Sequence, residues 1–255
     1  MNQEKEYHLK LKRGDVGRYV LLPGDPCRVP KIAACFDQAQ EMAFNREYRT
    51  FTGTVDGIRI SATSTGIGCP STAICVEELI RCGADTFIRV GTAGGLQPGI
   101  ELGDLCITTA SVRDEGTTRQ YVPLEYPAVA DFEVTAALRD AAQMLGFRYH
   151  LGIGHTKDAF YTEGATDLPL LEHCRERWKV WERANVLSTS MEAAALFVVS
   201  AFKKVRAGEI LAIIGLTYKN EPIMAKEGID ESIQVAIEAV KILAEQDQAA
   251  GRKVD

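Results

Sequence analysis

Short apolar runs ending in glycine alternate along this chain with segments of helical spacing, and that alternation limits the possible folds most sharply. "RYVLLPGDPCRVPKIAACF" reads as a strand, a Pro-Gly-Asp-Pro turn and a helix opening near Arg28. "RTFTGTVDGIRISATSTGIG" alternates in polarity around Asp56-Gly57, a hairpin signal. Ser71 is placed to cap the helix-spaced "TAICVEELIRCG", and Gly83 to stop it. A buried-type strand, "ADTFIRVGTAGGL", and a second strand, "GDLCITTASVRDEG", follow. Then come the helix "DFEVTAALRDAAQMLG", the strand "RYHLGIGHTKDAFY" and the apolar helix "SMEAAALFVVSAFKKV". The strand "GEILAIIGLTYKN" and the helix "IDESIQVAIEAVKILAEQDQ" close the series. With no linker, repeat or low-complexity tract, residues 1–255 are expected to form one α/β domain with a mostly parallel or mixed central sheet. Sites in such sheets lie at the carboxyl ends of strands. Those ends fall at Gly24 to Arg28, Thr65 to Gly68, Gly91 to Gly95, Thr156 to Tyr161, and from Thr217 onward.

Composition narrows the function. A net charge of -6 argues against a surface built to bind nucleic acid, so an anionic substrate needs a local basic cluster. No stretch of about 18 uninterrupted apolar residues occurs, so no membrane span is expected. The opening "MNQEKEYHLKLKRGD" lacks the apolar core of a secretory signal. The seven cysteines form no CxxC pair and no Cys/His cluster. Several lie in apolar segments (Cys35, Cys75, Cys82, Cys106), which suggests reduced core thiols in a cytoplasmic protein and no metal site.

The chemistry-bearing candidates are glycines, arginines and one acid. "GTAGGL" is neither a dinucleotide fingerprint nor a P-loop. Yet "PGDP", "STGIG" and "VGTAGG" are three Gly-rich strand ends in one domain, a way to gather backbone N–H groups around a ligand. Arg89 ends the apolar strand "FIRV", where an unpaired charge is costly to bury. Either it meets an internal carboxylate, or it joins Arg28, Gly24 and Thr92 in a cradle for an oxyanion. Glu192, at the head of "MEAAALF", is either a first-turn acid favoured by the helix dipole or an acceptor for a sugar diol, with Met191 packing on the sugar. The histidines (His8, His150, His155, His173) show no metal spacing or local triad, and no G-x-S-x-G elbow is present.

In one order along nearly the whole chain stand "YHLKL", "PGDPCRVPKIA", "NREYRTFTG", "STGIGCPSTAI", "IRVGTAGGLQPGIELGD", "TTASVRDEGTT", "PLEYPAVADFE" and "SMEAAAL". Together they resemble the nucleoside phosphorylase family of the single-domain α/β type, nearest its uridine-cleaving members. That resemblance implies a mixed, partly barrel-like central sheet flanked by helices. It also implies a pentosyltransferase in which phosphate attacks C1′ of a nucleoside, releasing the base and giving ribose 1-phosphate. By the same resemblance, Gly24, Arg28, Arg89 and Thr92 bind phosphate, joined by Arg46 of a neighbouring subunit. Arg89 and Glu192 carry catalysis. His8 from the neighbour reaches the ribose 5′-hydroxyl, and Met191 and Glu192 hold the ribose. Phe160 packs against sugar and base. Glu47, Ile67 and Ser71 match positions where relatives hold a monovalent cation, so a structural potassium ion is possible by resemblance. No obligatory cofactor is implied. Phosphate is the co-substrate, and the assembly is a homodimer unit within a hexamer.

The chain departs from the family at one ribose contact and at its base end. Relatives read "EME" where this chain reads "SME", with Ser190 in place of an acid. The glutamine and arginine that read the uracil edge after "FY" are missing from "FYTEGATDLPLLEHCRERW". A further base-side arginine falls on Thr217 in "GLTYKNE". Lys157, Glu163, Tyr218 and Lys219 remain as polar substitutes, with Lys157 and Lys219 favoured, since a cation near O2 or O4 stabilises a departing uracil anion. The aspartate expected of a purine enzyme near Thr217 is absent, the nearest acids being Glu221 and Asp230. A pyrimidine nucleoside, uridine first, is therefore expected. The rivals are a purine or methylthioadenosine phosphorylase, a nucleosidase that uses water, and a catalytically silent nucleoside-binding protein.

Overall fold

The first apolar run is buried at every position and becomes β1 (Tyr19–Leu22). In the computed structural model, which describes residues 4–162, 166–217 and 226–252, α1 (Arg28–Ala33), β2 (Asp37–Asn45), β3 (Tyr48–Val55), β4 (Ile58–Thr63) and α2 (Cys69–Cys82) follow. Next are β5 (Thr86–Gly95), β6 (Leu105–Asp114), β7 (Ala128–Val129), α3 (Phe132–Met144) and β8 (Tyr149–Lys157). The chain continues with α4 (Leu171–Arg183), β9 (Ser188–Ser190), α5 (Ala193–Lys203), β10 (Arg206–Leu216) and α6 (Ile229–Ala249).

Local chemistry accounts for most boundaries. Asp56 and Gly57 both take positive φ, as a tight two-residue hairpin requires, and join β3 to β4 in an antiparallel ladder. Gly83 ends α2 in the left-handed region. The Asp131 carboxylate caps α3 by accepting from the Val134 N–H at 3.0 Å.

One sheet links the strands, and β5 is its hub. It pairs in parallel with β1 and β10 and antiparallel with β9. Because β10 also pairs with β6, β6 with β8, and β8 with β9, the five strands β5, β10, β6, β8 and β9 close a ring. That ring is the expected barrel-like part, and β1, β4, β3 and β2 extend from it as an open mixed sheet. Helices α1, α3 and α6 bury one face, with Val134, Leu138, Val240 and Leu243 in the core. Helices α2 and α5 bury the other through Val76, Leu79, Leu196 and Phe197.

Two expectations are corrected. Ser71 does not cap α2, which opens earlier at Cys69 behind Gly68. Its hydroxyl instead donates to Glu47 Oε1 at 2.9 Å. Cys35 is exposed just beyond α1, whereas Cys75, Cys82 and Cys106 are buried and their thiols are pushed up by that burial. Four elements lacked an assignment: the bulged edge strand β2 and helix α4, neither with a buried residue, and the short strands β7 and β9, of two and three residues.

Candidate active site

The glycine-ended strands converge on one cavity of about 640 Å³. Gly24 and Arg28 come from the end of β1, Gly66 and Ile67 from the end of β4, and Arg89 and Thr92 from β5. Lys157 and Phe160 come from the end of β8, Ser190 from β9, and Met191 and Glu192 from the turn into α5. Four of the five anticipated strand ends thus line it. Near the fifth, Ile214 of β10 takes part, while Thr217 is not in the wall.

Glycine serves close approach at two places. Gly66 has a φ of +69°, and a Cβ there would lie 2.7 Å from Glu47 Cγ and 2.8 Å from Ser71 Oγ. A Cβ on Gly91 would stand 2.6 Å from Leu211 Cδ2 and 3.2 Å from Arg89 Nε. An added methyl would collide with Leu211 and press on the Arg89 head.

Arg89 is 5% exposed, and its three nitrogens meet three different partners. Nη2 donates to Glu192 Oε2 at 2.6 Å, and Nη1 to Thr65 Oγ1 at 3.3 Å. Nε lies 3.3 Å from Oε1 of Glu209, a fully buried acid on β10. The two residues are direct partners in the β5–β10 register. Guanidinium has five N–H donors, so one N–H on each terminal nitrogen stays open beside Gly24. Arg28 donates to the Val90 carbonyl at 3.4 Å. Burial, and then the nearby Arg89 charge, lower its hold on its proton. Two desolvated guanidinium groups near each other favour an anion between them.

The Glu192 carboxylate does not cap α5. Oε1 accepts from the Gly68 N–H at 2.8 Å, and Oε2 from the Met191 N–H at 3.0 Å as well as from Arg89. The acid nevertheless stands at the N-terminus of α5 and accepts from the N-cap residue of α2, so the helix-dipole reading and the binding reading both hold at this position. Glu192 ties the start of α2 to Arg89 and keeps an acceptor position on Oε1.

At the other end, the buried Lys157 ammonium donates to Thr189 Oγ1 at 2.9 Å and lies 5.8 Å from the Phe160 ring centre. The same Thr189 oxygen is 3.2 Å from His155 Nδ1, and His155 Nε2 is 3.0 Å from Asp114 Oδ2. Burial between Trp178 and Trp181 outweighs Asp114 and holds the imidazole below the usual histidine range. A neutral ring that donates from Nε2 accepts the Thr189 proton at Nδ1, so a directed chain fixes Lys157. A second cavity of about 200 Å³ lies behind it, against both tryptophans.

Glu47, Ile67 and Ser71 share one wall of the main cavity. Burial pushes the Glu47 carboxyl up, but hydrogen bonds from backbone and from the Ser71 and Tyr48 hydroxyls leave it below the usual range. Elsewhere Cys69 Sγ and carboxylate oxygens of Glu115 and Asp158 lie within 4.8 Å of one another. Burial keeps that thiol protonated and Glu115 already accepts from Thr118, so the set is poorly suited to a metal.

Two anticipated residues stand outside the cavity within one chain. Arg46 is exposed on the β2–β3 turn, and His8 Nδ1 is held 2.6 Å from Glu78 Oε1. Lys219, with Glu163, Tyr218 and Glu221, lies outside the described residues. Glu209 is the site residue that sequence reasoning missed. The signal was available as a lone acid in "GEILAIIGL", the mirror image of the lone arginine in "FIRV".

Fold and site together define an α/β protein with a cationic, carboxylate-lined cavity at its strand ends. The profile of the phosphorylase superfamily matches residues 18–246. The chain is 52% identical to a uridine phosphorylase of Thermococcus kodakarensis, over 98% of this chain and 91% of that protein. It is 47% identical to a uridine phosphorylase of Treponema pallidum, over 95% of each. A guanosine phosphorylase of Halorubrum lacusprofundi is 38% identical over 94% of this chain and 99% of its own length. The protein belongs to the phosphorylase superfamily.

Proposed function

We propose that the protein catalyses phosphorolysis of a pyrimidine nucleoside, uridine before others. A phosphate oxygen bonds to C1′ as the C1′–N1 bond breaks, and the bonding pair leaves with the base. The uracil anion then takes a proton, giving uracil and ribose 1-phosphate. The observation that carries this reading is the bond between Arg89 and Glu192, which joins an anion site to a diol acceptor in one cavity. Phosphate fits against Arg28, the open N–H groups of Arg89, Gly24 and Thr92. Ribose fits against Met191, with Glu192 Oε1 accepting from its hydroxyls. Catalysis then rests on position and charge, because the oxocarbenium-like transition state needs no protein nucleophile.

Uracil is favoured by Lys157, which lines the cavity together with Phe160, its ammonium held between the Phe160 and Trp178 rings. A cation there stabilises negative charge on a departing base. Names carried by the relatives support the same substrate. Arg46 and His8 complete the site from a neighbouring copy in an oligomer, a cation is held at Glu47, Ile67 and Ser71, and the enzyme acts in the cytoplasm without an obligatory cofactor.

The test is base release from uridine, thymidine, cytidine, inosine, guanosine and adenosine, with and without phosphate. Release from uridine that depends on phosphate is expected. Equal release in both conditions would show a hydrolase, and faster cleavage of a purine nucleoside would reassign the base.

A further inference from the structure

We propose that Glu209 is a positioning residue for Arg89 and takes up a proton when phosphate binds, so that the cradle changes charge to suit its substrate. This inference rests on the phosphate reading of the cavity.

Placement comes first. Gly208 faces Val134 and Leu138 of α3, so Glu209, one residue on, points to the opposite side of β10, into the ring of strands. There it is fully buried beside Arg89 of β5, its register partner. Glu209 Oε2 accepts from the Thr108 hydroxyl of β6 at 2.6 Å. Oε1 lies 3.3 Å from Arg89 Nε, but alignment is poor, and both atoms are buried without a hydrogen bond. The contact is therefore ionic only, and Oε1 is the oxygen open to a proton.

Charge comes second. The groups that face Glu209 are Arg89 from β5, Thr108 and Cys106 from β6, and Ser190 and Glu192 around the end of β9. Two carboxylates thus compete for one guanidinium. With both ionised the trio carries one net negative charge, a poor setting for a phosphate dianion. A proton on Glu209 removes that charge and frees the Arg89 field for the anion. Burial acts in the same direction and pushes the Glu209 carboxyl up to about 7, against the pull of Arg89. An arriving anion raises it further, so binding draws a proton from solvent. Ser190 is informative here. Its hydroxyl faces the Glu209 carboxylate and favours the ionised form, while the second carboxylate near Arg89 comes from β10.

Glu209→Gln mimics the protonated acid and keeps an oxygen near Arg89, while Glu209→Ala removes both. Phosphate binding is measured by calorimetry from pH 6 to pH 8.5, in buffers of different ionisation enthalpy, with sulfate as a dianion that does not titrate there. Wild type is expected to take up protons on binding sulfate, and on binding phosphate above about pH 8, where phosphate is already the dianion, and to lose phosphate affinity about tenfold per pH unit above its transition. Glu209→Gln should take up none, match wild type at pH 6 and bind phosphate about thirtyfold more tightly than wild type at pH 8.5. Glu209→Ala should bind weakly at every pH. Thr108→Val removes a bond that favours the ionised form, so it should move the alkaline fall to higher pH. Equal proton uptake by wild type and Glu209→Gln would overturn the proposal. Uniformly weaker binding by Glu209→Gln at all pH values, the mark of a purely structural acid, would overturn it too. Failure of wild type to bind either anion, with phosphate-independent turnover, would instead remove the phosphate reading beneath it.

Discussion

At Arg89, an internal ion pair and a site for an external anion are the same arrangement. Glu192 and Glu209 hold the guanidinium by two nitrogens and leave N–H groups turned to the cavity. Arg89→Ala would leave two buried carboxylates uncompensated and so confound folding with binding. Arg89→Lys is the sharper test, since it keeps the charge and loses the planar fork. We expect kcat/KM for phosphate to fall roughly 30-fold, the range of about 2 kcal/mol for a charged hydrogen bond. KM for uridine should change little. Steady-state kinetics varying each substrate in turn separates the two, and an unchanged KM for phosphate would contradict the role. Two of this trio were legible in the chain. Arg89 and Glu192 stood next to glycines or at a helix start, where polar residues attract notice. Glu209 sat inside an apolar run whose strand character was the stronger signal, and only the β5–β10 register reveals its partner.

Among the elements, the strands were legible because apolar runs and glycines mark where they bury and where they stop. The edge strand β2 was not, since five of its nine residues in succession are exposed and two bulges break its alternation. Helix α4 hid for a related reason. It presents Trp178 and Trp181 to His155 but buries no residue, so no broad apolar stripe marks it. Helix α6 shows the opposite case, a polar residue that fastens an apolar element. Asp247 is fully buried and accepts from Tyr19 at 2.6 Å and from Arg206 at 2.6 and 2.9 Å, bridging β1, β10 and α6. Asp247→Ala should cost about 2–3 kcal/mol, because it removes charge-assisted bonds to Arg206, which keeps Glu133 and Thr86 as partners. For a chain of this size that lowers Tm by several degrees. Burial raises the Asp247 carboxyl, but the Arg206 and Tyr19 hydrogen bonds outweigh it and hold it below the usual range. The folded state therefore binds this proton less readily than the unfolded chain. Its contribution is complete above about pH 4 and is lost as pH falls through the folded value. Thermal melts of wild type and variant should converge below pH 4, and a gap that stayed constant would count against this reading.

For the whole molecule, the question is whether one chain makes a complete site. The cavity wall carries Ile67, 76% exposed, and Phe160, 45% exposed. Arg46 projects from the β2–β3 turn, next in sequence to the wall residue Glu47, yet is not itself in the wall. His8 is steered by Glu78 to a place outside the same cavity. If Arg46 serves a neighbouring copy, two defective chains can repair each other. Arg46→Ala and Arg89→Lys variants, each impaired alone, would be unfolded together, refolded as a mixture and assayed. In a symmetric pair, one mixed site combines the intact Arg89 of one chain with the intact Arg46 of the other, while its twin carries both changes. Random pairing makes half of the assemblies mixed, so about a quarter of wild-type activity should return. An arginine acting within its own chain would give no recovery above the average of the two variants. Preparations mixed without unfolding should recover activity only as fast as subunits exchange. The same experiment with His8→Ala in place of Arg46→Ala asks whether the sugar end of the site is shared as well. Recovery with Arg46 but not with His8 would place the subunit boundary between the phosphate and the ribose.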